Sequence, residues 1–112
     1  MNRRVVSIGA ACVGALSMLA AAPAAYGDES MFLQQAQAEE VITEMGASTA
    51  QLLRLGAVVC EVMRTQINNG SLISQARAQA DKAVGRTAYS MGLQPTRAGV
   101  MLLTEEAENN LC

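Results

Sequence analysis

The chain has 112 residues, 51% of them hydrophobic and only 3% aromatic, with no Trp, no His and a formal net charge of −2. Without His it lacks the commonest general base, the commonest metal ligand and every Ser-His or Cys-His nucleophile arrangement. The acidic balance and the absence of any basic run exclude an electrostatic footprint for nucleic acid and give no sign of a surface built for anionic lipid.

Arg3 and Arg4 precede an uncharged run of apolar and small residues from Val5 to Gly27, the order found in a secretory signal peptide. The positive charges resist crossing the membrane and hold the N-terminus inside while the apolar segment enters the bilayer. The run ends in Pro23, Ala24, Ala25, Tyr26 and Gly27, small and helix-breaking as signal peptidase requires. Cleavage is expected between Gly27 and Asp28, with a cut before Ala25 as the alternative. An uncleaved anchor needs about 20 apolar residues, but this run is rich in Ala and Gly and no basic cluster follows it. Cys12, preceded by Gly9-Ala10-Ala11, sits too early for lipidation and leaves with the signal. The expected organisation is a signal peptide at 1–27 and one small helical domain at 28–112, secreted or held in the cell envelope, with no membrane span after cleavage. Loss of Arg3 and Arg4 takes the formal charge from −2 to −4.

A domain of this size is near the limit at which a hydrophobic core alone suffices. Cys60 and Cys112 remain after cleavage, and an oxidising compartment permits them to pair. Closing that loop is worth about 4 kcal/mol in the chain-entropy model. The intramolecular bond is the expectation; a free Cys112, or one linking two molecules, is the alternative.

The segment from Asp28 to Met45 reads as a helix ended by Gly46, though Phe32 and Leu33 fall on one side and Val41, Ile42 and Met45 on another. Ser48-Thr49-Ala50-Gln51 reads as a capping box, opening a helix that stops at Asn68-Asn69-Gly70. On it Leu52, Leu53, Leu55, Gly56, Val59, Cys60, Val62, Met63 and Ile67 share one half of the wheel. Gly56, about 1 kcal/mol worse than Ala inside a helix, implies the close approach of a neighbouring backbone or of the disulfide. The next helix is capped by Ser71 or Ser74 and stops at Gly92, with Ile73, Ala76, Ala80, Ala83, Val84, Thr87 and Met91 facing inward. The last is capped by Thr96, with Val100, Leu103, Ala107 and Leu111 as its stripe. Cys112 lies about 100° off that stripe, so a bond to Cys60 requires the final turn to unwind. The fold class expected is all-α, a small three- to four-helix bundle with one disulfide.

No constellation for catalysis emerges. Glu39, Glu40 and Glu44, and Glu105, Glu106 and Glu108, read as solvated helix faces beside Gln, Asn and Thr; a hydrolase-like pair, with one carboxyl buried to raise its pKa, is the alternative. Cys60 and Cys112 lack redox-motif spacing and do not make a zinc site. Met31, Met45, Met63, Met91 and Met101 read as core filling, with an adaptable apolar groove as the alternative. No metal or cofactor is expected; haem would have to rely on Tyr26, Tyr89, Met or Cys.

Asp28 to Leu33, Gly46, Gly56-Ala57-Val58-Val59-Cys60, Gly70-Ser71, Gly92-Leu93, and Ala98 through Ala107 to Leu111-Cys112 together resemble the secreted actinobacterial family called domain of unknown function 732. The resemblance covers residues 28–112 and implies a short exported helical domain whose two cysteines correspond to Cys60 and Cys112. The family commonly has an aromatic residue before its last Cys and another in the stretch matching Ala98 to Leu103; here Leu111 and non-aromatic residues stand instead. The family carries no assigned activity. The function expected is a non-catalytic binding or interaction module, a monomer engaging an extracellular or envelope partner. The alternative is a structural or host-facing protein without a ligand pocket.

Overall fold

A computed structural model of the chain describes residues 28–112; the signal peptide expected over 1–27, with Cys12 and Gly27, lies outside the described residues. Five helices follow in order: α1 Glu29–Ala38, α2 Glu40–Thr43, α3 Thr49–Asn68, α4 Ile73–Ser90 and α5 Arg97–Asn110, with no strand among the described residues.

Asp28 starts α1 by accepting from the Met31 N–H at 3.0 Å, satisfying one of the free donors of a helix start. The single helix expected over 28–45 breaks at Glu39, whose φ of −93° and ψ of 115° are extended. The break restarts the helical phase. Phe32 and Ala36 of α1, Ile42 of α2 and Met45 just beyond it all reach the same core and are fully or almost fully buried. The two-sided apolar pattern of this segment is therefore the signature of the break.

α3 opens as its sequence predicts: the Gln51 N–H donates to Ser48 Oγ at 3.2 Å and the Ser48 N–H to Gln51 Oε1 at 2.9 Å. It closes at Gly70, whose φ of +92° only Gly adopts without strain. Neither Ser71 nor Ser74 caps α4. The Ser71 N–H bonds Gln66 C=O at 2.9 Å and its hydroxyl donates to Gln66 Oε1 at 3.0 Å, so Ser71 completes the end of α3. Leu72 takes the cap position of α4 instead, its N–H donating to Gln75 Oε1 at 3.1 Å. The buried face of α4 is Ala76, Ala80, Val84 and Ala88, while Ile73 is exposed and Ala83, Thr87 and Met91 stand at the margin. Thr96 caps α5 as predicted, accepting from the Gly99 N–H at 3.0 Å.

α3 and α4 pair side by side across the short turn at Ser71–Leu72, and α5 packs against all four other helices. Its stripe of Val100, Leu103, Ala107 and Leu111 is buried as expected. Beyond it the helix opens: the Cys112 N–H reaches Ala107 C=O at 3.1 Å, five residues back rather than four. That unwinding brings Cys112 to Cys60, with Cα atoms 5.3 Å apart, and the disulfide forms. Gly56 admits neither a backbone nor the disulfide. A Cβ there would overlap Leu111 Cδ1 and stand 3.1 Å from Phe32 Cζ, so its missing side chain is the space two core side chains occupy.

A second close approach joins α5 to α2. A Cβ on Gly99 would stand 2.7 Å from Val41 C=O and 3.1 Å from Met45 Sδ. Backbone cannot yield as a side-chain tip does, so Gly99→Ala should lose about 1–3 kcal/mol to overpacking, offset only by the helix-propensity gain of about 1 kcal/mol. A urea melt of the oxidised protein should show a lower midpoint with an unchanged slope.

Candidate functional site

α4 presents to one side of its buried stripe a second row at helical spacing: Ala78, Asp81, Lys82, Gly85, Arg86 and Tyr89. Opposite it the start of α5 supplies Pro95, Thr96, Arg97, Val100 and Met101, and the two rows bound a groove of about 760 Å³. Val100 is the buried part of its floor, while Met101 is 50% and Tyr89 77% exposed on its walls. Lys82 and Arg86, one turn apart, share the α4 rim, and Arg97 stands on the α5 side at the helix start. Among the described residues the only ion pair is Arg77 with Glu108, Nε to Oε1 at 2.7 Å; Lys82, Arg86 and Arg97 have none. That pair raises the Arg77 pKa further, first through its hydrogen bond and then through charge.

The groove continues past Asp81 and Met101 into a cleft of about 630 Å³, lined also by Arg77, Thr104, Glu105 and Glu108. Here Asp81 Oδ1 and Thr104 Oγ1 are buried without a hydrogen-bond partner. An unmade bond at a buried polar atom costs about 1–3 kcal/mol, so this end of the trough is polar and suited to water. One trough thus runs from a basic end at Arg86 and Arg97 to an acidic end at Glu105 and Glu108.

Gly85 has no packing role. It sits inside α4, without positive φ, and a Cβ built on it meets nothing within 4 Å. Its missing side chain leaves the groove floor open there.

Of the residues singled out in the sequence, Cys60 and Cys112 come together and Asp28 begins the described fold, its N–H 2.6 Å from Asn110 C=O. The two acidic clusters meet in part. Burial raises the Glu106 pKa, with the charges of Glu39 and Glu105 adding to it and the hydrogen bond from Asn110 opposing it. Glu40 and Glu44 remain exposed, and Glu39 and Glu106 are half-buried. Met45 and Met63 fill the core; of the five methionines only Met101 reaches the groove. Lys82, Gly85, Arg86 and Arg97 were not singled out, because only the packing of α4 on α5 assembles them. The signals present were an unexplained mid-helix Gly and two cations at i and i+4. Among the described residues no group of His, Cys, Asp and Glu is placed to hold a metal ion, and no helix is long and apolar enough to cross a membrane.

No family model, curated protein or solved structure matches the chain.

Gly85→Ala should raise stability by about 1 kcal/mol, the helix-propensity difference, because the added methyl meets open space; the melting temperature should rise by about 4–8 °C. Glu106→Gln should also stabilise the protein at neutral pH. A carboxyl whose folded pKa is raised binds more protons folded than unfolded, so its penalty grows as pH rises through the folded value and is absent below the ordinary value of 4.5. Melting curves of the two proteins should separate at pH 7 and converge below that value.

Proposed function

We propose that this chain is an exported, non-catalytic binding domain, of the kind resembling domain of unknown function 732, whose ligand surface is the groove between α4 and α5. The observation that carries the reading is the groove itself: an open, largely apolar floor kept clear by Gly85, with Tyr89 and Met101 exposed on its walls. Its volume lies within the roughly 300–1,000 Å³ of small-molecule sites. A purely structural bundle has no use for a helix glycine that destabilises it without packing against anything.

Export is supported by the order of charge and hydrophobicity in residues 1–27 and by the disulfide, which fits an oxidising compartment. Cleavage before Asp28 is supported by what Asp28 touches. Its N–H already donates to Asn110 C=O at the C-terminal end of α5, and the α-amino group produced by cleavage would bring positive charge to the negative end of that helix.

Two measurements test the reading together. Intact mass of the protein recovered from the medium and envelope of its host should begin at Asp28 and gain two thiols only on reduction; a full-length membrane-bound mass overturns export. NMR spectra recorded with aqueous and with organic extracts of that envelope should show shifts confined to Lys82, Gly85, Arg86, Tyr89 and Met101. Shifts elsewhere, or none with either extract, overturn the assignment of the groove.

A further inference from the structure

Resting on the groove as the binding surface, we propose that its occupant is a free long-chain carboxylate, one molecule per protein, with its head between Arg86 and Arg97 and its chain along Gly85, Val100 and Met101.

Charge complementarity selects the head. Three cations, Lys82, Arg86 and Arg97, line a groove in a chain whose net charge is negative, and none of them is in an ion pair. Arg97 is the first residue of α5, so its charge adds to the positive end of that helix rather than opposing it. α5 has no acidic residue in its first turn and no basic residue in its last, the reverse of what stabilises an isolated helix. The arrangement concentrates positive potential where Pro95, Thr96 and Arg97 meet the groove. Guanidinium groups on facing walls suit a planar carboxylate, which accepts paired N–H donors.

The floor selects the tail. Gly85 and Val100 offer no polar side chain, Met101 is a flexible thioether that moulds to a chain, and the stem of Lys82 can lie over it with its ammonium in water. Asp81, one turn before Gly85 in the same groove, repels a carboxylate and so places the head at Arg86 and Arg97; the chain leaves over the exposed Met101 and does not enter the polar cleft at Asp81 and Thr104. The overall acidic charge disfavours adsorption to an anionic bilayer, which points to a monomeric amphiphile rather than to a membrane surface.

Tyr89 is the only Tyr of residues 28–112 and the chain has no Trp, so tyrosine emission reports from the groove wall itself. The oxidised protein purified from its host is titrated with dodecanoate below its micelle concentration. Dodecyltrimethylammonium, dodecyl maltoside and phosphatidylglycerol vesicles are run in parallel. Saturable 1:1 binding of dodecanoate is expected, with roughly tenfold weaker binding of either other detergent, the equivalent of one charge-assisted contact. Charge reversal in the double variant Arg86→Glu, Arg97→Glu should weaken dodecanoate by about tenfold or more. Gly85→Leu, whose side chain enters open groove, should abolish binding while the melting temperature is kept or raised, since Leu is a better helix former than Gly. Equal binding of anionic and cationic detergents, response to vesicles alone, or unchanged affinity in Gly85→Leu overturns the proposal. If dodecanoate fails while envelope extracts still shift Gly85 and Tyr89, the carboxylate is wrong and the groove stands; if the extracts shift residues elsewhere, both readings fall.

Discussion

The Cys60–Cys112 bond holds the end of α5 against the middle of α3, and the rest of the packing is arranged around that contact. Cys60 lies one turn beyond Gly56 on the buried face of α3. Gly56 leaves room for Leu111, the residue next to the second cysteine, and for Phe32, the only Phe in the chain. Three segments distant in sequence therefore meet at one helix surface, two of them joined there by a covalent link and the third, α1, held by packing. The entropy removed from the unfolded chain, about 4 kcal/mol, is comparable with the lower end of net stabilities for whole domains. The Asp28 N–H then closes the structure on Asn110 C=O, so both ends of the described chain are tied at the same place.

With α5 fixed, the small residues of α4 acquire a consequence. Ala76, Ala80, Val84 and Ala88 bury little apolar area each, but they bring helix axes close and let a core of modest volume be filled without voids. The neighbouring row of α4 gets no such cover. Where it faces α5 it carries Gly85 and long side chains that stand at the rims, and the trough remains. The disulfide and the Gly99 approach to Val41 restrain α5, one wall of the groove, toward either end. For the proposed ligand such preorganisation would lower the entropic cost of binding.

What the sequence discloses follows the range of each interaction. The Ser48–Gln51 capping box, the Thr96 cap, the stop at Gly70 and the stripe of α5 all depend on neighbours within a turn or two, and they stand as read. The unwound last turn could be inferred too, since a bond from Cys112 is incompatible with continued helix. The break at Glu39 was visible only as a conflict of phase, because nothing at Glu39 itself forbids helix and tertiary burial of Ile42 and Met45 decides the matter. Ser71 misled for a related reason: its N–H and hydroxyl are claimed by Gln66, so the end of one helix outcompetes the start of the next. The groove left only faint marks, a mid-helix Gly85 and the Lys82 and Arg86 pair, and its place could not be read. Its two walls belong to helices whose relative rotation no local pattern specifies.

The charge pattern of α5 separates stability from function most clearly. Acidic residues favour a helix N-terminus and basic ones a C-terminus, each contributing about 0.3–1 kcal/mol. α5 does the opposite, with Arg97 at its start and Glu105, Glu106 and Glu108 toward its end. Glu108 recovers part of this through Arg77, but Glu106 carries a raised pKa and Arg97 has no ion-pair partner. A helix selected only to be stable would place these charges the other way round. The unfavourable order is accounted for if its potential is directed outward, positive where the groove opens between Arg86 and Arg97 and negative where the trough ends at Glu105. A field of that direction would orient the proposed amphiphile with an anionic head, which would be a reason for the sequence to retain a small loss of stability in α5 and another at Gly85.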